Sequence, residues 1–539
     1  MILIQALLLA ITANLASGRV WSPITWPFCY PLINGTIVGI ILGNPLLGLT
    51  AGATINLAYI GWISAGGTMP SNIGIAGVYG TAITVLAGAN PELGITLAIP
   101  IGLLGTLLWN LQMTLNSFWV HRLDANAEKA ELNKVFFNAW LFPQLTSLLI
   151  NGLPAFLLIF FGQSFFTELL GKIPQSFVNA LSVTGSLLPA VGVAMLLNYL
   201  GKKRAIPYFI IGFFATSYLG LGTMAIAIVG ACIAVLSYFN GRDDEAVSAY
   251  EEEPEEEKPE LQIQLKRSDL IKHWLIGLGA EVGYNYERMQ ASGNILAMVP
   301  IIRRLYHDPK DISDAMKRYL VFFNTEPSFI GNVIPGICAS LEEQRANGAD
   351  ISDEMINGLR TGLMGPLAGI GDSLAGGVIY PIGISLGCTL ALQGNFSGPV
   401  IFFLMFTGIM LVLGYNLYFM GYKKGSNAVM ALLGEGGNSL TKLTDAFGIL
   451  GLMVVGAMGA QNVMVHLSAV INVGATEVVL QNVLDGLVLN LLPFGLIMGT
   501  WQLLKKKVSP IVVVLLLMAI GINRILYLEI PTITILYLV

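Results

Sequence analysis

Two long apolar blocks, one running from the N-terminus to about Phe239 and one resuming after residue 261, flank a single acidic run. A chain built this way has little water-soluble surface to offer. Charged side chains make up 11% of the 539 residues and hydrophobic ones 55%, whereas ordinary soluble domains carry roughly 25% charge. So few charges cannot clothe a globule in water, so much of the chain must face lipid. The 61 glycines suit close helix contacts and interrupted helices better than long regular ones. The expected fold class is all-α: a polytopic membrane protein whose helical halves contain broken or re-entrant helices.

The acidic run, GRDDEAVSAYEEEPEEEKPE, holds ten acidic and two basic residues. Its local charge is −8 against −5 for the whole chain, so the remainder carries +3. Like charges repel and little apolar surface is present to order them, which makes 241–261 a solvated linker. It divides the chain into 1–240 and 262–539. No stretch has the basic character of a nucleic-acid-binding surface. Cys29, Cys232, Cys338 and Cys388 stand apart in apolar surroundings with no CxxC or Cys/His cluster, so packing is expected of them, and neither metal nor cofactor is called for. The opening MILIQALLLAITANLASG lacks a basic leader and reads as a retained first membrane segment.

Apolar segments centre near residues 8, 40, 80, 103, 150, 190, 212 and 230. Several fall short of the roughly 20 apolar residues a span requires, and 50–70 reads as re-entrant or broken. Residues 262–357 are amphipathic and well charged, as expected of a water-facing helical section. Apolar segments return at 359–390, 398–420, 446–470, 484–503 and 509–528. The basic clusters Lys202–Arg204, Lys423 and Lys424, and Lys505–Lys507 are assigned to the cytoplasm by the positive-inside rule. Arg303 and Arg304 add to the water-facing section.

Residues 43–72, GNPLLGLTAGATINLAYIGWISAGGTMPSN, mix glycines with Asn44, Thr54, Asn56, Ser64, Thr68, Ser71 and Asn72. Each unpaired polar group costs several kcal/mol in hydrocarbon. These groups therefore either bind a neutral polyol or glue helices together. Three further strings stand out: YNYERMQASGNILAMVPIIRRLY at 284–306, FFNTEP at 322–327, and SLEEQRANGADISDEMINGLRTGLMGPLAGIGDSL at 340–374.

In order and spacing those strings resemble the D component of mannose-family permeases of the bacterial phosphotransferase system (PTS), and the glycine-rich run resembles the C component. The resemblance covers roughly 1–238 and 262–528, as if enzymes IIC and IID were fused. It implies a multi-pass protein of the cytoplasmic membrane, elevator-like in action, with two similar halves, assembled as a homotrimer of C–D units. It further implies transport of a hexose or amino-sugar-like substrate, phosphorylated from phosphoenolpyruvate by separate IIA and IIB proteins, with phosphorylated IIB as the docking partner. The alternative is an ion-coupled sugar carrier without phosphorylation. Such carriers place several ionisable groups at mid-membrane, and here only Asp372 and Glu287 qualify. Where mannose transporters carry an acidic or glutamine residue in the glycine-rich run, this chain has Asn56, which leaves the sugar open.

The expected sugar ligands are Asn56, Ser64 and Asn72 from the first half, with Asn285, Glu287, Arg288 and Gln290 from the second. For the ERMQ run the plainer reading is an ion pair holding the halves together. Asn324 lines the same cavity or starts a helix, and Thr325 is expected to cap one. Asp372 either orients a sugar hydroxyl or pairs with Arg360. His121, His273, His307 and His466 sit in no phosphate cradle, so the chain is not expected to carry phosphate itself.

Overall fold

A computed structural model describes residues 2–61, 71–88, 90–160, 187, 189–200, 205–240, 263–425, 435–463, 465, 470–473, 476–509, 512, 513, 515–517, 519 and 533–535. The acidic linker and Ser64 therefore lie outside the described residues, as does most of 509–528.

Helix α1 (Ile2–Ser17) leads through an irregular loop to a helical hairpin, α2 (Pro31–Leu42) and α3 (Pro45–Ala58). Both arms begin with proline, whose fixed φ suits a first turn. Gly43 turns the chain at φ 85, and the Asn44 side chain caps α3 by accepting from the Leu47 amide. Arms of 12 and 14 residues reach about 18 and 21 Å, short of the ~30 Å hydrocarbon layer. Neither arm is long enough to span alone; of the stretch 50–70, expected to be re-entrant or broken, 50–58 belongs to the second arm and 62–70 lies outside the described residues. What closes the hairpin is glycine: a Cβ built on Gly48 would lie 2.4 Å from the Gly39 Cα, and one on Gly35 2.7 Å from the Gly52 Cα. The two backbones touch directly.

Helix α4 (Ile73–Ala87) starts at Asn72 and ends at Gly88, φ 58. Helix α5 (Pro91–Glu128) is one rod of 38 residues, so the segments expected near 80 and 103 are a short helix and a very long one. Helix α6 (Leu132–Phe160) contains two π turns, Phe137–Leu141 and Leu148–Gly152. Then follow α7 (Pro189–Leu200), α8 (Ile206–Leu219) and α9 (Thr223–Asn240).

The second half opens with four short helices: α10 (Arg267–Gly277), α11 (Ala291–Leu305), α12 (Pro309–Tyr319) and α13 (Val333–Ala346). Helix α14 (Asp353–Leu374) runs through a π turn at Ala375–Ile379 into α15 (Tyr380–Leu392), followed by α16 (Ser397–Lys424) and α17 (Glu435–Asn462). The apolar stretch expected as a helix over 446–470 stops at Asn462. β-branched residues take over there in a three-stranded ribbon, order β2-β1-β3, made by β1 (Val470–Val473), β2 (Thr476–Val479) and β3 (Ile533–Ile535). Helices α18 (Leu480–Leu487) and α19 (Leu491–Lys505) follow β2, bent against each other by 77°.

Among the described residues 4 helices are long and apolar enough to span, or 5 with the bent pair. The halves interlock: α15 packs on α3, α17 on α8 and α9, and α19 on α7. One apolar core runs from Leu32, Ile55 and Tyr59 to Ile384, Phe402 and Met458. The outward faces of α5 (Leu104, Leu107, Leu111) and α16 (Val400, Leu404, Val412) remain exposed, as lipid-facing surfaces do. Cys338 and Cys388 are buried and Cys29 half-buried; Cys232 departs from the expected packing role and lies exposed on α9.

Candidate functional site: a polar seam between the halves

Uncharged polar side chains gather where α1 ends. Asn14 donates to the Gln144 side-chain Oε1 (3.3 Å), Gln144 to the Gly18 backbone carbonyl (3.1 Å), and Asn151 to the Gln112 Oε1 (2.9 Å). Ser17 and Asn72 bond each other at 3.1 and 3.2 Å. Hydrocarbon leaves such groups only one another as partners, and α6 brings its share through the π turn that contains Asn151.

One turn further along α5 the seam becomes charged and aromatic. Arg19, held at φ 43, donates to Glu281 at 2.7 Å and lies 5.2 Å over the Trp109 ring. Both members of the pair are largely buried, so the ion pair and the cation–π contact together offset their desolvation. Trp109 sits 6.1 Å from the Tyr284 ring, whose hydroxyl donates to the Asn324 side-chain Oδ1 at 2.6 Å. Asn116 reaches across the seam to donate to the Tyr284 carbonyl at 2.9 Å. First-half α5 and the second-half loop 278–290 thus form one surface.

The loop 322–332 closes this surface. Gln290 clamps it by donating to the Thr325 carbonyl (2.7 Å) and accepting from the Thr325 amide (3.0 Å). The Glu326 carboxylate accepts from the backbone amides of Ser328, Phe329 and Ile330 at 2.7, 3.1 and 3.2 Å. Gly371 lets α14 press against that loop, since a Cβ there would fall 2.5 Å from the Glu326 Cβ. This contact brings Asp372 to the seam, where its charge acts on both Tyr284 and Glu326.

Burial pushes the Glu326 carboxyl up to about 7, against the hydrogen bonds that favour its ionised form. A carboxyl raised in the folded state adds stability that is complete below its ordinary value near 4.5 and lost as pH rises through about 7. That difference amounts to roughly 3 kcal/mol. Glu326→Gln is therefore expected to flatten the fall in thermal stability between pH 5 and pH 8, measured in nanodiscs. An unchanged slope would show that Glu326 does not titrate there.

The remaining expected ligands are placed as follows. Asn56, fully buried, accepts from the Leu32 amide (3.0 Å) and donates to the Tyr380 hydroxyl (2.9 Å), tying both hairpin arms to α15. Tyr380 in turn stacks on Tyr30 at 4.1 Å. Asn72 caps α4 by accepting from the Ile75 amide. Asn285 makes a turn, accepting from the Glu287 and Arg288 amides and donating to the Gly283 and Met289 carbonyls. Arg288 grips Asp124 of α5 through two bonds of 2.6 and 2.8 Å, and exposed Glu287 lies 3.3 Å from His121. The ERMQ run thus supplies ion pairs between the halves. Gln290, Asn324 and Asp372 come together at the seam.

Two expectations are corrected. Thr325 is no cap: Glu326 takes that role because its longer side chain reaches forward over three following amides at once. Asp372 cannot pair with Arg360, because twelve residues on one helix separate them by about 18 Å. Arg360 instead lies between the Tyr319 and Phe323 rings, at 4.8 and 4.9 Å, and donates to the Arg318 carbonyl. Of the histidines, His273 is buried against the Tyr418 hydroxyl, His121 and His307 are exposed, and His466 lies outside the described residues. Among the described residues no three His, Cys, Asp or Glu side chains gather as a metal would require.

Residues 264–527 match the PTS mannose/fructose/sorbose family IID component, and residues 3–236 the PTS sorbose-specific IIC component. The sorbose-specific EIID component of Klebsiella pneumoniae is 40% identical over 267 residues, which cover 48% of this chain and 96% of that protein. The chain belongs to the mannose/fructose/sorbose family of the phosphotransferase system. The mannose-specific EIID component of Escherichia coli is likewise 40% identical, over 48% of this chain and 93% of its own length. In the first half, the sorbose-specific EIIC component of Lacticaseibacillus casei is 29% identical over 38% of this chain and 74% of its own length. As a permease of this family with IIC and IID in one chain, it is a multi-pass membrane protein that transports sugar, coupled to phosphorylation by separate IIA and IIB components. Sequence reasoning overlooked Arg19, Trp109, Glu281, Tyr284 and Glu326. Tyr284 and Glu326 stand inside the strings that carried the resemblance, and Arg19 is a charge within an apolar stretch, the usual sign of a functional intramembrane group.

Proposed function

We propose that this permease binds a hexose, plain or amino-substituted, in the seam bounded by Trp109, Tyr284, Gln290, Asn324 and Asp372. The observation that carries the reading is the Trp109–Tyr284–Asn324 chain, in which aromatic faces from both halves adjoin an amide and a carboxylate. A sugar ring is amphipathic: its C–H face stacks on an aromatic ring and its hydroxyls seek neutral donors and acceptors. Carboxylate oxygens add stronger, charge-assisted bonds and would also hold an ammonium substituent. Asn56, Asn72, Asn285, Glu287 and Arg288 then act by holding the two halves in register around this place. The reading includes assembly as a homotrimer, which the family resemblance supports. It also includes a cytoplasmic dock for phosphorylated IIB beside the linker-proximal helices.

Trp109→Ala and Asn324→Ala are each expected to raise the sugar Kd about 10- to 100-fold, the loss of ~1.4–2.8 kcal/mol. Lys505→Ala, at the far end of α19, should leave it unchanged. Binding of radiolabelled D-mannose, L-sorbose and D-glucosamine to the full chain in nanodiscs measures this. Unaltered affinity in both seam variants would remove the site.

A further inference from the structure

Resting on that reading of the seam, we propose that Asp372 is the catalytic base of the phosphoryl transfer, taking the proton from the sugar hydroxyl that receives the phosphoryl group. In this step the hydroxyl O–H bond breaks and its proton passes to an Asp372 carboxylate oxygen. The same sugar oxygen forms a bond to phosphorus. The bond from phosphorus to the carrier atom of IIB breaks, and that electron pair stays on the carrier atom.

Of the carboxylates at this surface, Glu281, Glu326 and Asp372 lie about Tyr284 and the loop 322–332, while Asp124 and Glu287 face Arg288 and His121. Glu281 is committed to the Arg19 ion pair at 2.7 Å and is 6% exposed. Glu326 accepts from three backbone amides and is 1% exposed. Of these three, Asp372 is the half-buried one, open enough to meet a hydroxyl. Its place on α14 points the same way. Gly358, Gly362 and Gly365 precede it by spacings of four, three and seven, which set all four residues on one helix face. A Cβ built on any of these glycines meets nothing within 4 Å. That face is a shallow track about 21 Å long, beginning near Asp353, where the helices of 263–352 join α14, and ending at the Asp372 carboxylate. Phosphoryl transfer demands positioning and charge stabilisation more than covalent chemistry, and a positioned base adds typically 10²–10⁴-fold.

The test uses the full chain in nanodiscs with phosphorylated IIB of the same system and D-mannose, L-sorbose and D-glucosamine as sugar probes. Asp372→Asn is expected to lower the phosphorylation rate at saturating sugar at least 100-fold, a loss larger than its effect on the sugar Kd, and remove the decline of rate at acid pH. Asp372→Glu should restore part of the rate together with that acid limb. A rate for Asp372→Asn within twofold of the unaltered protein, or a loss confined to sugar affinity, overturns the proposal. Its failure is distinguishable from failure of the seam itself: the Trp109 and Asn324 variants would still weaken binding while Asp372→Asn kept its rate.

Discussion

Replacing Gly48 with valine is expected to leave almost no folded permease in detergent, because α2 and α3 meet backbone to backbone at that residue. The new Cβ would lie 2.4 Å from the Gly39 Cα and 2.7 Å from both the Gly35 carbonyl and the Gly39 amide. All three are backbone atoms, so no side chain can swing aside. The arms must part by more than an ångström, and contacts along the whole hairpin weaken together. Parting the arms also pulls Asn56 from the Leu32 amide and from Tyr380, which unfastens α15 of the second half. Overpacking and lost buried bonds together place the change among exceptional destabilisations of more than about 4 kcal/mol. Gly358→Val is the matched control, since a Cβ there meets nothing within 4 Å. Size-exclusion profiles of the two variants should differ sharply: a monodisperse peak for Gly358→Val and aggregate for Gly48→Val. A normal peak for Gly48→Val would mean that the hairpin is not packed this way.

Membrane character and helical class were legible because scarcity of charge constrains the whole chain at once. The helical hairpin was legible in part. Gly48 and Gly52 belong to the glycine-rich run, but the glycines they touch, Gly35 and Gly39, precede it, and nothing in a single arm announces its partner. The seam was harder still, for a physical reason. The rule that a polar group in hydrocarbon must be satisfied applies equally to a ligand-binding asparagine and to one that ties helices together. Asn56 and Asn324 look alike in sequence. The first is spent on Leu32 and Tyr380, and the second hangs on the Tyr284 hydroxyl beside Trp109. Arg19 and Glu281 are 262 positions apart, so their pairing is information that only the folded chain contains. The same holds for Arg288, whose real partner is Asp124 of the first half rather than its neighbour Glu287.

Glu342→Ala should cost more than any other single charge removal within residues 263–352, about 3–5 kcal/mol. Arg318 and Glu342 are 2% and 0% exposed, and their contact is direct. The same carboxylate accepts the hydroxyls of Tyr306 at 2.6 Å and Tyr319 at 2.9 Å. Burial works against the Arg318 charge, while Glu342 and Asp353 hold the guanidinium above the usual arginine range; a guanidinium is so basic that it stays charged even when its partner is removed. Removing Glu342 therefore leaves a buried cation and two hydroxyls short of their acceptor, while Asp353, 44% exposed and shared with Arg345, compensates only partly. Because Tyr319 also flanks Arg360 on α14, loosening should spread to the helix that carries Asp372. The expected readout is a large fall in thermal midpoint with faster proteolysis within 263–352. Arg318→Met with Glu342→Met should recover part of the loss, since an apolar pair of similar volume removes the stranded charge. If Glu342→Ala alone unfolds at the same temperature as the unaltered protein, this buried network does not secure α12 and α13 to α14.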